Sequence, residues 1–193
     1  MELDPVDRIT TDAIGEPGER IFYIQARQGP TVVSVTVEKQ QVQLLSASIL
    51  EILSRIGKET GQGPDEEEMA LEQPVEPLWR AGRLSIGYLE ERDLILLEME
   101  ELLPEDEDAG EEGSPGLEEL EGLEGLEEMG GDPERDADRV RVWATREQML
   151  SLSRQGALVC ARGRPTCQFC GNPLDPEGHV CPAMNGHGQL GQA

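Results

Sequence analysis

Two stretches of this chain carry the same apolar pattern 107 residues apart, and that repeat limits the fold more than any other feature. Val33, Val35 and Val37 alternate as a strand, and Glu38 to Gly57 then reads as a helix with Val42, Leu45, Ile49, Ile52 and Ile56 on one face. Val140, Val142 and Ala144 alternate in the same way. Thr145 to Gly163 follows as a helix whose matching positions are Met149, Leu152, Gly156, Val159 and Gly163. Lys39 and Arg146 coincide at this offset, as do Gln41 and Gln148. Thr145-x-x-Gln148 has the form of a capping box at the start of the second helix.

The segments before each helix correspond more loosely. Arg20 to Ala26 and Thr31 to Val37 predict a hairpin around Arg27-Gln28-Gly29-Pro30. Arg83 to Leu89 and Leu94 to Glu100 predict another around Glu90-Glu91-Arg92-Asp93. With a short strand near Arg8 to Ile14, the chain reads as an α+β protein of two β-β-β-α units, 1–57 and 78–163. The sheet is expected to be mostly antiparallel, with both helices on sheet faces. A polar linker, 58–77, separates the units, and chance alignment of apolar periods is the competing explanation of the repeat.

Charge divides the chain unevenly. The net charge is −24. Residues 104–137 hold fifteen acids against Arg135 alone, a net −14, and leave −10 for the remainder. This segment falls between the second and third strands of the second unit, where the first unit has a tight turn. Charge repulsion outweighs its small apolar content and predicts a disordered acidic insert over 104–137. The alternative is an acidic-hydrophobic segment, Leu117 to Met129, that folds against a basic or apolar groove. So acidic a protein repels nucleic acid and anionic membrane at long range. Thr145 to His187 is locally net +1, so a nucleic-acid contact there stays open. The acidic opening Met1-Glu-Leu-Asp-Pro is unlike a signal peptide, and no run is apolar enough to span a membrane. A cytoplasmic setting is expected.

The C-terminal region carries the most specific chemistry. Cys167-x2-Cys170-x8-His179-x-Cys181 has the spacing of a zinc knuckle, with Gly171 after the first pair and Pro182 after the second. Thiolate and imidazole in a four-ligand shell favour Zn2+, and a shell closed by protein ligands is structural. Metal binding would fold a segment too small for its own core. The knuckle is expected over 164–187, with a flexible tail at 188–193, and reduced, unliganded thiols are the alternative. Cys160 aligns with Leu53 and reads as a core residue rather than a further ligand. His187 is the alternative to His179 as the fourth ligand.

No enzyme signature stands out. The two histidines, His179 and His187, both lie in the C-terminal region, which excludes histidine acid–base work in the body. Gly15-Glu-Pro-Gly-Glu19 places acids where a phosphate loop would hold an anion. Candidate contact residues are Arg20, Lys39, Gln40, Gln41, Arg80 and Arg83, with a solvated helix end as the plainer reading of the group at residues 39–41. Trp79 and Trp143 read as packing residues.

The segments Gly15 to Arg27, Val33 to Val42, Leu71 to Val75, Trp79 to Gly87 and Cys167 to Pro182 resemble an uncharacterised bacterial family. It is domain-of-unknown-function family three thousand and ninety, also labelled a "repeat protein" family. The resemblance covers nearly the whole chain outside the acidic insert, which is longer than expected for the family. It implies a cytosolic bacterial protein and supplies no activity, substrate or catalytic residue. The function expected from all of this is a non-catalytic protein-binding or adaptor module with an unknown protein partner. The alternatives are a nucleic-acid-associated protein using Arg154, Arg162 and Arg164, and a small-molecule or hydrolytic enzyme with a carboxylate site.

Overall fold

The computed structural model describes residues 1–103, 137–162, 167–170 and 181–182, together with the backbone of 117–120. The chain runs β1 (Glu2–Leu3), β2 (Arg8–Ile14), β3 (Ile21–Gln28), β4 (Thr31–Val37) and α1 (Lys39–Ile56). A 3-10 turn at Glu66–Met69 follows, then β5 (Pro77–Leu89), β6 (Leu94–Glu101), β7 (Leu117–Leu120), β8 (Arg139–Thr145) and α2 (Arg146–Ala161). Among the described residues the fold is α+β, one mixed sheet and two α-helices.

The sheet order is β1-β8-β6-β5-β4-β3-β2, with β7 added beside β5. The pairs β2–β3, β3–β4, β5–β6 and β6–β8 are antiparallel. The pairs β1–β8, β4–β5 and β5–β7 are parallel. The sheet is thus mixed, with four antiparallel pairs and three shorter parallel ones that hairpins alone do not produce. The reason lies in the connection: the chain leaves β4 into α1 and returns through residues 57–76 to lay β5 alongside β4 in the same direction. Hairpin reasoning sees neighbours joined by tight turns and misses such crossovers.

The two strands at the ends of this order, β1 and β2, are separated by only Asp4–Asp7. Val6 N donates to Trp143 O of β8 at 2.9 Å, and Asp7 N donates to Arg27 O of β3 at 2.8 Å. Adjacent residues of one segment therefore join both ends of the sheet, which closes on itself. Closure satisfies backbone groups that an open edge would leave unpaired.

Structural details recur at the 107-residue offset. Ser34 pairs with Pro77 where β5 enters beside β4, and Arg141 pairs with Glu2 where β1 enters beside β8. Each helix starts with a capping box: Glu38 N donates to Gln41 Oε1 at 2.8 Å, and Thr145 N donates to Gln148 Oε1 at 2.9 Å. Gln41 Nε2 reaches Ala81 O at 3.2 Å and Gly82 O at 3.1 Å, while Gln148 Nε2 reaches Val6 O and Asp7 O, both at 3.1 Å. Each helix start is thereby tied to the segment that begins the other half. Val42, Leu45, Ile49 and Ile52 are buried on α1, and Met149, Leu152, Gly156 and Val159 are buried on α2. All of these except Gly156 join Ile24, Val35, Leu84, Ile95 and Val142 in one core.

The segment 58–77, read from composition as a linker, forms an ordered strap over residues 57–76 and enters β5 at Pro77. Met69 is buried to 1% exposure. Arg8 donates from Nε to Glu68 O at 2.8 Å, and the Thr10 hydroxyl donates to Met69 O. Glu72 pairs with Arg27 at 3.0 Å and Arg8 at 3.2 Å. Gln25 accepts from Glu72 N at 2.7 Å and donates to Glu72 O at 3.1 Å. Ser151 of α2 donates to Pro64 O at 2.9 Å. The disorder expected over 104–137 falls on residues outside those described, apart from the β7 backbone and Ala137.

Candidate metal centre

Helix α2 delivers the chain to the thiols. Thr145 caps it, accepting from Gln148 N at 3.3 Å, and its last turn closes with Arg162 N donating to Leu158 O at 3.1 Å. Beyond it, Cys167, Cys170 and Cys181 bring their sulfurs within 4.8 Å of one another. Cys167 and Cys181 are buried, with their sulfurs 3.7 Å apart. All four cysteines are free thiols.

Two observations test whether a metal fits. Bonds of about 2.3 Å in tetrahedral array place two thiolates roughly 3.8 Å apart, which the 3.7 Å separation matches. Metal ligation needs thiolate, and Phe169 N, 3.5 Å from Cys167 Sγ, favours it. Amides of Phe169 and Cys170, with the neighbouring thiols of Cys170 and Cys181, hold Cys167 down to about 6. The donor set therefore suits a thiophilic divalent ion. A zinc ion there would cross-link the two ends of the loop from Cys170 to Cys181. His179, the expected fourth ligand, and His187, its alternative, lie outside the described residues.

Cys160 stands apart from this cluster. It is buried in the core, its sulfur 3.8 Å from Lys39 O, and burial pushes its thiol up. The neighbouring basic residues are already engaged: Arg154 donates to Gln62 O at 3.2 Å and Arg162 pairs with Glu66 at 2.5 Å, both on the strap. Arg164 lies outside the described residues. Of the contact candidates on the body, Gln41 is corrected to a buried brace at 1% exposure, because its amide is spent on Ala81 and Gly82. Lys39 and Gln40 are exposed, Arg20 is half-buried, and Arg83 is exposed. Arg80 pairs with Glu38 at 2.8 Å. Trp79 packs against the core, and Trp143 is buried with Nε1 donating to Glu2 at 2.6 Å.

Sequence reading missed a polar cluster on the body. Tyr88 donates to Asp93 Oδ1 at 2.5 Å, and Lys58 donates to Tyr88 Oη at 2.9 Å and to Asp93 at 3.2 Å. Arg146 donates to the other Asp93 oxygen at 3.1 Å. The Tyr88 hydroxyl, assisted by Lys58 and Arg146, holds the Asp93 carboxyl down to about 2. Asp93 has φ +54°, in the left-handed region that Asp tolerates. The cluster ties the β5–β6 turn to the starts of the strap and of α2. Its one sequence signal was an aspartate closing the predicted turn.

Closed mixed sheet, paired helices and a three-thiol cluster define an α+β protein with a candidate metal centre. The chain belongs to the family described as "Protein of unknown function (DUF3090)", which matches residues 1–181. Searches among curated proteins and among solved structures each found no match. No helix among the described residues is long and apolar enough to cross a membrane.

Proposed function

We propose that this protein is a non-catalytic binding or adaptor module whose C-terminal segment is a structural zinc site. The observation that carries this reading is the convergence of Cys167, Cys170 and Cys181 just beyond α2. Three thiol donors with His179 as fourth would leave no open position for substrate or water, so the ion would hold shape rather than perform chemistry. Phe169, 60% exposed between the two thiols of the first pair, gives the site an apolar tip of the kind that partners bury. Engagement of Arg154 and Arg162 with the strap weighs against a nucleic-acid face there.

We also infer that the body descends from a duplicated β-β-β-α unit. The matched capping boxes, the matched strand entries and the shared buried helix positions, all 107 residues apart, support this.

Metal analysis of the purified protein tests the first proposal. One zinc per chain is expected, retained in Cys160→Ser and lost in Cys167→Ser. A metal-free wild-type protein that stays metal-free when refolded with zinc would sink it.

A further inference from the structure

The three clustered thiols are not equivalent. Cys167 and Cys181 are buried, at 3% and 1% exposure, and their sulfurs touch at 3.7 Å. Cys170 is only half-buried, with its sulfur within 4.8 Å of both. All three are free thiols. A disulfide holds its sulfurs about 2.05 Å apart, so the buried pair needs only a small approach to close. The fourth cysteine, Cys160, lies in the core with its sulfur against Lys39 O, outside this cluster.

We propose that these thiols form a peroxide-sensitive switch on the zinc site, with Cys170 as the entry thiol and a Cys167–Cys181 disulfide as the oxidised state. The switch is regulation of the site proposed above and rests on that reading. In the first step the Cys170 sulfur attacks one oxygen of hydrogen peroxide. An S–O bond forms, the O–O bond breaks, and the other oxygen leaves as water with the thiol's proton, so Cys170 becomes a sulfenic acid. One buried thiol then attacks the Cys170 sulfur: an S–S bond forms, the S–O bond breaks, and the oxygen leaves as water with that thiol's proton. The other buried thiol attacks its neighbour in this disulfide. The bond to Cys170 breaks, the Cys167–Cys181 bond forms, and the proton passes to Cys170. In sum, two thiols and one peroxide give one disulfide and two waters, and Cys170 ends reduced. Exposure selects the sulfur that meets the oxidant, and contact selects the pair that keeps the bond. The disulfide removes two thiolate donors at once. Cys170 with His179 is too small a set to hold zinc, so the ion would be released.

The test treats the intact zinc-loaded chain with hydrogen peroxide beside a coloured zinc indicator. One zinc should be released for each disulfide formed. Peptide mapping should find Cys167 joined to Cys181, with Cys160 and Cys170 still thiols. A thiol reductant with added zinc should restore the metal. In zinc-stripped protein the same disulfide should form at least tenfold more slowly in Cys170→Ser than in wild type, and at the wild-type rate in Cys160→Ser. Equal rates in wild type and Cys170→Ser would overturn the proposal, as would Cys170 recovered as sulfinic acid with no disulfide. Metal analysis before peroxide reads the site itself. Protein that takes up no zinc at that stage overturns the site and the switch with it, whereas zinc that stays bound through oxidation overturns the switch alone.

Discussion

Ser153 Oγ donates to Ser46 O at 2.7 Å, and the two residues stand 107 positions apart. The helices thus meet at the position they share, which places that contact at the centre of the repeat. The two faces are not identical there. α1 presents Ile49, fully buried, whereas α2 presents Gly156 at the matching position. A Cβ on Gly156 would lie 2.3 Å from Ser46 Oγ and 3.0 Å from Val42 Cγ1. One helix fills the seam and the other must leave room for it.

Gly156→Ala should therefore destabilise the protein although alanine favours helix by about 1 kcal/mol. Overpacking at such a seam costs about 1–3 kcal/mol, so a net loss of roughly 1 kcal/mol is expected, with a larger loss for Gly156→Leu. Urea unfolding followed by circular dichroism measures it. A more stable Gly156→Ala would mean that the helices separate freely.

Much of this core was visible in sequence because it is local. The alternation of Val33, Val35 and Val37 coincides with β4, and the period of Val42, Leu45, Ile49 and Ile52 with the buried face of α1. Three of the four ligands expected from the spacing are described, and their sulfurs lie within 4.8 Å of one another. What stayed hidden depends on distant partners. Closure of the sheet turns on Val6 and Asp7, which carry no pattern of their own and bond to Trp143 and Arg27. The strap looked like a linker because its bonds run from Arg8, Thr10 and Gln25 largely to its backbone, and composition does not record backbone acceptors. Its lone apolar anchor, Met69, is too isolated to make a period.

Met69→Ala should consequently cost about 2–5 kcal/mol, the usual loss for a fully buried side chain of this size. It should also open residues 57–76 to limited proteolysis before the sheet unfolds. Cleavage rates and a denaturant titration check both. Wild-type resistance in the variant would show that the polar contacts alone hold the strap.

The Asp93 cluster predicts a pH signature. Its carboxyl is held down to about 2 from an ordinary value of 3.8. A lowered carboxyl stabilises the folded state above the ordinary value, and that stabilisation fades as pH falls toward the folded one. Asp93→Asn keeps the shape and tolerates the left-handed backbone but removes the charge that Lys58 and Arg146 share. The melting-temperature gap between wild type and variant should be constant from pH 7 to about 5 and close between about 4 and 2. A gap independent of pH across that window would assign the effect to shape, not charge.

Thiol reactivity separates the two kinds of cysteine. Cys160 is covered by the core and pushed away from thiolate, so it should resist a disulfide reagent until the whole body unfolds. Cys167, Cys170 and Cys181 should be protected by bound zinc and react together once a chelator removes it. None of the three belongs to the buried core cluster, so far-ultraviolet circular dichroism should change little on chelation. The expected record is three fast thiols and one slow one in the chelated protein, and two fast ones in Cys167→Ser without chelator. Four thiols reacting at one rate, or collapse of the helical signal on chelation, would mean that the metal centre and the body fold as a single unit.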